Sequence, residues 1–184
     1  TMRAIALENY GGAEVLRPTD LPEPTPGEHD LLVEVHATAL NPVDFKVRQS
    51  GLGIERSMPV VLGYDVCGKV AGMGSRCANF REGEMIYASP SIGRNGANAE
   101  YVLVDERTAA AMPESLSVEQ AAAMPLVTLT AWESLHKRAA IHPGETVFIQ
   151  GGAGGVGHVA LQLCHQHGNP TITTASRSES IDLC

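Results

Sequence analysis

A glycine-rich turn constrains the fold of this chain more than any other feature of its sequence. The segment GGAGGVG, residues 151–157, places five glycines in seven positions. Before it, Val147–Ile149 is a short β-branched and aromatic run, which is typical of a core strand in a parallel sheet. From Val156 onward, apolar residues recur at helical spacing. The pattern therefore predicts a strand, a tight turn and a helix, in that order.

This turn contains the spacing G-x-G-x-x-G, formed by Gly152, Gly154 and Gly157. In a dinucleotide-binding fold, the first glycine makes the turn, the second lets the backbone approach a pyrophosphate, and the third lets the helix pack on its strand. The N–H groups at the helix start, those of Gly155 and Val156, would then point at the anion. Glycine-rich turns also occur for packing alone, but the flanking strand and helix favour a phosphate site.

The next predicted strand, Pro170–Arg177, indicates which dinucleotide would bind. A site selective for NAD usually carries Asp or Glu here, about twenty residues past the glycines, to bind the ribose 2′-hydroxyl. This chain instead has Ser176 and Arg177, with no acid before Glu179. A hydroxyl and a guanidinium attract a 2′-phosphate, whereas a carboxylate would repel it. The sequence therefore predicts NADP(H), although Arg177 could also be a solvated surface residue.

Composition excludes several classes of partner. The net charge of −8 over 184 residues argues against nucleic acid or an anionic membrane as a partner. No apolar run approaches the length of a membrane span, and the first residues lack the apolar core of a signal peptide. The four cysteines form no CxxC pair, which is typical of reduced thiols in a cytoplasmic protein.

The first part of the chain is predicted to be β-rich, with a domain boundary near residue 120. Ser117 and Gln120 form a capping box ahead of an alanine-rich helix, and a longer helix is predicted over Leu126–Ala139. Short strands separated by glycine-rich turns predict a barrel-like or rolled domain over residues 1–120. The predicted strands are Arg3–Leu7, Leu31–Ala39, Val60–Leu62, Asp65–Ala71, Met85–Tyr87 and Glu100–Val104, and Pro42–Gln49 is a predicted helix.

Six strings carry a resemblance that spans the whole chain. They are MRAIALENYGGAEVL, NPVDFKVR, VLGYDVCGKV, NAEYVLVDER, PLVTLTAWESL and GGAGGVG. The sequence resembles the medium-chain dehydrogenase/reductase superfamily and, within it, the zinc-independent NADPH:quinone oxidoreductase branch of alcohol dehydrogenase-like proteins. The resemblance implies a β-rich GroES-like N-terminal domain followed by an α/β Rossmann domain of the doubly wound type.

The resemblance also bears on zinc. In the zinc alcohol dehydrogenases of the superfamily, the positions that hold catalytic zinc fall here on Asn41, Tyr64 and roughly Leu126. None of these is a good zinc ligand, because zinc binds thiolate, imidazole or carboxylate. Asp44 and Asp65 keep acidic positions of that pattern and are expected to act as structural hydrogen bonders. The expected metal content is therefore none.

Without zinc, the resemblance implies that NADPH delivers hydride to a quinone or an α,β-unsaturated carbonyl. Asn41 and Tyr64 are the candidate catalytic donors for the developing oxyanion. Lys46 is a third donor candidate and is grouped, with Thr130, among the residues expected near the cofactor. Each has a plainer alternative: a turn cap for Asn41, a packed ring for Tyr64, a solvated chain for Lys46 and a bond to the preceding helical turn for Thr130.

Members of the resembled family are nearly twice as long as this chain. The expectation is therefore a Rossmann domain, residues 121–184, truncated after its second strand, within a fragment of a reductase that is a homodimer when full length. The isolated chain is expected to be inactive and to associate through Thr146–Gln150. The alternatives are a zinc-dependent alcohol dehydrogenase of the same superfamily and a non-catalytic structural fragment.

Overall fold

The chain divides into two units, Thr1–Leu126 and Val127–Cys184, in a computed structural model that describes residues 1–184. Residue 120, near which the sequence predicted a domain boundary, lies in the helix α2 (Val118–Ala123) of the first unit. That helix belongs there because Ala121 and Ala122 are buried against Cys67. The capping box at its start is present, since Ser117 and Gln120 exchange hydrogen bonds of 2.9 and 3.2 Å.

The first unit contains two antiparallel sheets. The strands are β1 (Met2–Leu7), β2 (Arg17–Leu21), β3 (Asp30–Thr38), β4 (Val60–Val61), β5 (Val66–Met73), β6 (Met85–Ala88), β7 (Tyr101–Asp105) and β8 (Ala109–Ala111). One sheet has the strand order β2-β1-β4 and the other the order β7-β3-β5-β6-β8. One helix, α1 (Pro42–Ser50), follows β3.

Every strand predicted for this unit is present, but β2 and β8 were not predicted. β2 has the sequence RPTDL and lacks apolar alternation, and its proline is tolerated because β2 lies at a sheet edge. β8 consists of three alanines, a residue type that strands usually avoid. It also lies at an edge, where it pairs with β6.

The two sheets of the first unit are held together by contacts of the first strand. Arg3 donates its backbone N–H to the Glu100 carboxylate at 2.8 Å, and Ala4 forms an isolated bridge with Ala99. Buried side chains of the larger sheet form one core cluster, which comprises Leu31, Val33, Val66, Val70, Ile86, Ala88, Ala97, Val102 and Val104.

The second unit contains the strand, turn and helix that the sequence predicted. β9 (Val147–Ile149) is followed by α4 (Gly155–His167) and then by β10 (Thr171–Thr173), which pairs with β9 in parallel. This is the first βαβ unit of a doubly wound fold. A short helix, α5 (Ser178–Leu183), comes last.

Three details of the second unit differ from the sequence prediction. The strand predicted over Pro170–Arg177 is present only as β10, Thr171–Thr173, so Ser176 and Arg177 lie beyond its end. The helix predicted over Leu126–Ala139 is α-helical only as α3 (Pro125–Trp132) and continues as a π-helix over Glu133–Arg138. The strand β9 was predicted to be buried on both faces, but Phe148 is 63% exposed because no helix of the structure covers its face. None of the helices in the structure is long and apolar enough to cross a membrane.

Candidate functional site

The turn after β9 depends on a glycine that the motif did not include. Gly151 has a φ of +73°, a left-handed conformation that residues with a Cβ rarely adopt. Its N–H donates to the Thr174 hydroxyl at 2.9 Å, which ties the turn to the end of β10. Gly152, expected to make the turn, serves a different purpose, because a Cβ there would overlap the Thr173 hydroxyl.

Of the other two motif glycines, Gly157 has the packing role that its spacing predicts. A Cβ on Gly157 would overlap the carbonyl oxygen of Gly151, so this position lets α4 pack closely on the turn. A Cβ on Gly154 would meet one atom within 4 Å, the Gly151 carbonyl oxygen, in a tight contact of 3.1 Å, and no other atom of the chain lies within that distance. Gly154 is also the N-cap of α4, in extended conformation. An anion could therefore reach the unpaired N–H groups of the first turn, at Gly155 and Val156.

Beside this turn lies a pocket of about 450 Å³ that brings together three of the predicted cofactor residues, Gly154, Ser176 and Arg177. Ser176 and Arg177 line it along with Gly154, and Arg177 is its only charged residue. Glu179, the nearest acid in sequence, is not part of the lining. The pocket lining is Gln150, Gly151, Ala153, Gly154, Thr174, Ala175, Ser176, Arg177 and Ser180. Its chemistry suits a phosphate, since it offers hydroxyls, one guanidinium and no carboxylate.

Asn41 lies at the start of α1, in the first unit, where two carboxylates fix it. Its backbone N–H donates to Asp44 Oδ2 at 2.7 Å, and its side-chain Nδ2 donates to Asp65 Oδ2 at 2.7 Å. Asp44 also accepts the backbone N–H of Gly63 at 2.8 Å. The amide is half-buried, and one of its side-chain N–H groups is committed to Asp65.

Asp65 connects three segments of the first unit. Its Oδ1 accepts the backbone N–H of Leu126 at 2.7 Å, and its carbonyl oxygen accepts from the Thr38 hydroxyl at 2.7 Å. Burial raises the pKa of the Asp65 carboxyl to about 6, opposed by the bonds from Asn41 and Leu126, while the Asp44 carboxylate adds to the rise. The expectation that Asp44 and Asp65 act as structural hydrogen bonders matches these contacts.

Tyr64 lies in a different environment from Asn41. Its side chain is fully buried among Leu7, Val47, Val60 and Leu62, and its hydroxyl has no hydrogen-bond partner. Burial raises the pKa of this phenol, while the Arg56 guanidinium opposes the rise. In this structure Tyr64 is therefore a packed core residue of the first unit.

The remaining predicted residues lie in separate units. Lys46 is exposed on α1 of the first unit. Thr130 is exposed on α3 in the second unit, and its carbonyl oxygen accepts from the Ser134 hydroxyl at 2.7 Å. The predicted residues thus form two groups. The glycine turn lies beside Ser176 and Arg177 in the second unit, and Asn41 is hydrogen-bonded to Asp44 and Asp65 in the first unit.

The positions that correspond to zinc ligands offer no cluster of zinc-binding groups. Leu126 contributes a backbone N–H to the carboxylate of Asp65, and Tyr64 is turned into the core. No group of three or more His, Cys, Asp or Glu side chains is arranged to hold a metal ion.

Comparison with known proteins shows what the chain is similar to. Residues 27–114 match the alcohol dehydrogenase GroES-like domain. A zinc-type alcohol dehydrogenase-like protein of Staphylococcus epidermidis is 40% identical over 86% of this chain and 48% of its own length. The human quinone oxidoreductase is 34% identical over 97% of this chain and 54% of its own length. A mycobacterial protein solved with NADPH superposes with a TM-score of 0.87 at 33% identity, over the whole of this chain and 55% of the other.

The chain is similar over most of its length to proteins of the medium-chain dehydrogenase/reductase superfamily. Its first unit is the GroES-like domain of that superfamily, and its second unit carries the start of the Rossmann part. The chain spans about half the length of the curated superfamily members it matches.

Two residues of the superfamily's glycine turn were missed by sequence reasoning. Gly151 and Thr174 hold the turn by backbone conformation and by a hydrogen bond across 23 residues. The doubled glycine at 151–152 was a signal for the first, because one glycine of such a pair often takes the left-handed conformation. Nothing in the sequence pointed to Thr174, whose role depends on the register of β10 against β9.

Proposed function

We propose that the protein, in its natural full length, is an NADPH-dependent oxidoreductase that reduces a quinone or an α,β-unsaturated carbonyl without zinc. The observation that carries this proposal is the pocket beside Gly154, in which Arg177 is the only charged group. NADP(H), when bound, supplies the hydride and thus the redox chemistry of the reaction. The residues of the chain bind, orient and stabilise charge.

Two parts of the pocket fit such a cofactor. The pocket side of Gly154 and the start of α4 suit the pyrophosphate, because unpaired N–H groups and the helix dipole favour an anion there. Ser176 and Arg177 suit the 2′-phosphate of the adenosine ribose. NADH carries a neutral 2′-hydroxyl in place of the 2′-phosphate, so it lacks the charged group that would bind the Arg177 guanidinium. The arrangement therefore favours NADPH over NADH.

Asn41 is the residue that we propose to stabilise the oxyanion formed on the acceptor. It is half-buried and keeps one side-chain N–H beyond the one that binds Asp65. A fixed donor is worth most in catalysis where charge develops during the reaction. We assign Tyr64 a packing role, because its hydroxyl is shielded from solvent. Roles for Lys46 and Thr130 near the cofactor remain part of the proposal.

Zinc-dependent alcohol oxidation is the second candidate, since several relatives are named zinc-type alcohol dehydrogenase-like proteins. It requires metal ligands, and the side chains of Asn41, Tyr64 and Leu126 are poor ones. Metal analysis of the purified protein separates the two functions. One zinc per chain, with alcohol oxidation that a chelator abolishes, would support the second candidate.

The decisive experiment for the main proposal is a turnover assay. The natural full-length protein and the 184-residue chain are each tested with NADPH and NADH against quinones, enones and alkenals. We expect NADPH oxidation with at least one quinone or enone by the full-length protein. Binding of NADPH is measured in parallel by isothermal titration, so that loss of binding and loss of chemistry are distinguished. Absence of turnover with every acceptor would contradict the proposal.

A further inference from the structure

Asp65 is a buried carboxyl group without a cation beside it. Its side chain is 0% exposed, and its two oxygens accept from Asn41 Nδ2 and from the N–H of Leu126. The charged group that acts on it is the carboxylate of Asp44, which repels it. Buried carboxylates are usually paired with a cation, because the loss of hydration is costly. Two hydrogen bonds therefore compensate for the hydration that the Asp65 carboxyl group loses on burial.

We infer that Asp65 is the positioning residue of Asn41, and that its protonation decides which end of the Asn41 amide faces away from the core. An ionised carboxylate only accepts hydrogen bonds, so it holds Nδ2 of Asn41 towards Asp65, while the amide oxygen caps the start of α1 at the backbone N–H of Asp44. When Oδ2 carries a proton, it becomes a donor, while Oδ1 still accepts from Leu126. Asn41 then turns its oxygen towards this proton and both N–H groups away from Asp65, and it gives up its capping contact with Asp44.

The surroundings of Asp65 allow both states near neutral pH. Burial raises the pKa of its carboxyl to about 6, and Asp44 on α1 acts in the same direction. From α3, the group that faces it is the backbone N–H of Leu126, which carries no charge. No histidine, lysine or arginine acts on it, so its own proton controls the amide.

The consequence for the reaction rests on the proposed function. With both N–H groups outward, Asn41 is the better donor to an oxyanion, so kcat/KM for the acceptor should rise as the pH falls through about 6. Asp65→Asn should fix this orientation at every pH. Its amide oxygen can accept from Leu126, which leaves its NH₂ facing Asn41 as the protonated carboxyl does.

The first test needs no activity. In the chain labelled with ¹⁵N at asparagine, the side-chain NH₂ signals of Asn41 are assigned by their loss in Asn41→Ala and followed from pH 5 to 8. We expect them to shift with a midpoint near pH 6, and to stop shifting in Asp65→Asn. Thr38→Val is the matched control, because it removes a hydrogen bond to the carbonyl oxygen of Asp65 and leaves the carboxyl in place. Signals of Asn41 that do not change across this range in the wild type would overturn the inference, even if Asp65→Asn failed to fold.

The second test is the pH profile of the natural full-length protein with NADPH and a quinone. We expect kcat/KM to fall about 25-fold between pH 5.5 and 7.5 in the wild type and in Thr38→Val, as follows for a single group of pKa about 6 whose protonated form is active. The profile of Asp65→Asn should be flat. An inflection near pH 6 that persists in Asp65→Asn would overturn the inference. Absence of turnover would count against the proposed function alone, and the spectroscopic test would then decide the role of Asp65.

Discussion

The carbonyl oxygen of Gly151 occupies the space that a Cβ atom on residue 157 would need, so only glycine fits at position 157. This contact joins the turn after β9 to the first turn of α4, so Gly157 serves packing while Gly154 lines the pocket. The two glycines should therefore respond differently to substitution.

Gly157→Ala should destabilise the second unit without a direct effect on nucleotide contacts. The added methyl group overlaps the Gly151 oxygen, and overpacking of this kind costs about 1–3 kcal/mol. Thermal unfolding followed by the fluorescence of Trp132, the single tryptophan, measures the effect in the second unit. An unchanged midpoint of thermal unfolding would mean that the turn can move away from α4 without any loss of stability.

Gly154→Val should abolish NADPH binding and lower the midpoint of unfolding less than Gly157→Ala does, because a Cβ at position 154 makes one tight contact of 3.1 Å with the Gly151 oxygen rather than an overlap. Valine readily adopts the extended conformation of this residue, at φ −77° and ψ 169°, but its methyl groups would occupy the space proposed for the pyrophosphate. Isothermal titration of NADPH into the variant checks this. Wild-type affinity would show that the glycines serve packing alone.

Arg177→Ala should reduce the preference for NADPH over NADH. Loss of one charge-assisted bond at an exposed site is expected to weaken NADPH binding by about 1.5 kcal/mol, roughly tenfold, while NADH binding changes little. Arg138→Ala is the matched control, since Arg138 is also exposed in the second unit and lies outside the pocket. Equal losses for both cofactors in Arg177→Ala would argue against a 2′-phosphate contact.

The stability of the first unit should depend on pH through Asp65. Its pKa of about 6 in the folded chain lies above that of an unfolded Asp, so the folded state binds this proton more tightly. The resulting stabilisation is complete below about pH 4 and is lost as the pH rises through about 6.

Between pH 8 and pH 5 this gain amounts to about 1.4 kcal/mol. Other carboxyls such as Asp30, whose pKa is lowered by Arg94, act in the opposite direction. The measurement is therefore the difference in unfolding free energy between wild type and Asp65→Asn, by urea titration at both pH values. A difference that is independent of pH would show that Asp65 does not titrate in this range.

Phe148 and Ile172 should drive self-association of the 184-residue chain. They are directly opposite in the pairing of β9 with β10, and they are 63% and 59% exposed. A paired apolar surface on a short sheet favours association, whereas single exposed apolar residues are common. Phe148→Ser combined with Ile172→Thr should shift the chain towards monomer in sedimentation velocity.

Leu40→Ser is the control for this experiment, since Leu40 is 81% exposed but lies alone in the first unit. It should leave the association unchanged. A wild-type chain that is already monomeric at tens of micromolar would contradict the prediction.

The sequence predicts those parts of the fold that are encoded locally. The strand Val147–Ile149 and the helix after Gly154 agree with the prediction within a residue, because apolar periodicity and glycine spacing are properties of short segments. The edge strand Arg17–Leu21 was not predicted, since its sequence has no apolar alternation and it forms by pairing with Met2–Leu7. Its stability comes from a partner that no local pattern reveals.

The candidate site shows the same division. The pocket residues Ser176 and Arg177 could be placed by counting from the glycines, because one βαβ unit fixes their distance along the chain. The burial of Tyr64 and the hydrogen bonds of Asp65 could not be predicted in this way. They depend on segments that are far apart in the sequence, such as those of Thr38 and Leu126, meeting in space. Family resemblance supplied the position of Asn41 but not the contact that orients it.

The pairing of the first strand with residues 98–100 has a consequence for synthesis of the chain. Met2–Leu7 is synthesised well before its partners, because its contacts with Asn98, Ala99 and Glu100 require a segment made more than ninety residues later. At about 5–20 residues per second, that interval lasts roughly 5–20 seconds. During it, the N-terminal strand has one edge available to chaperones or to neighbouring nascent chains.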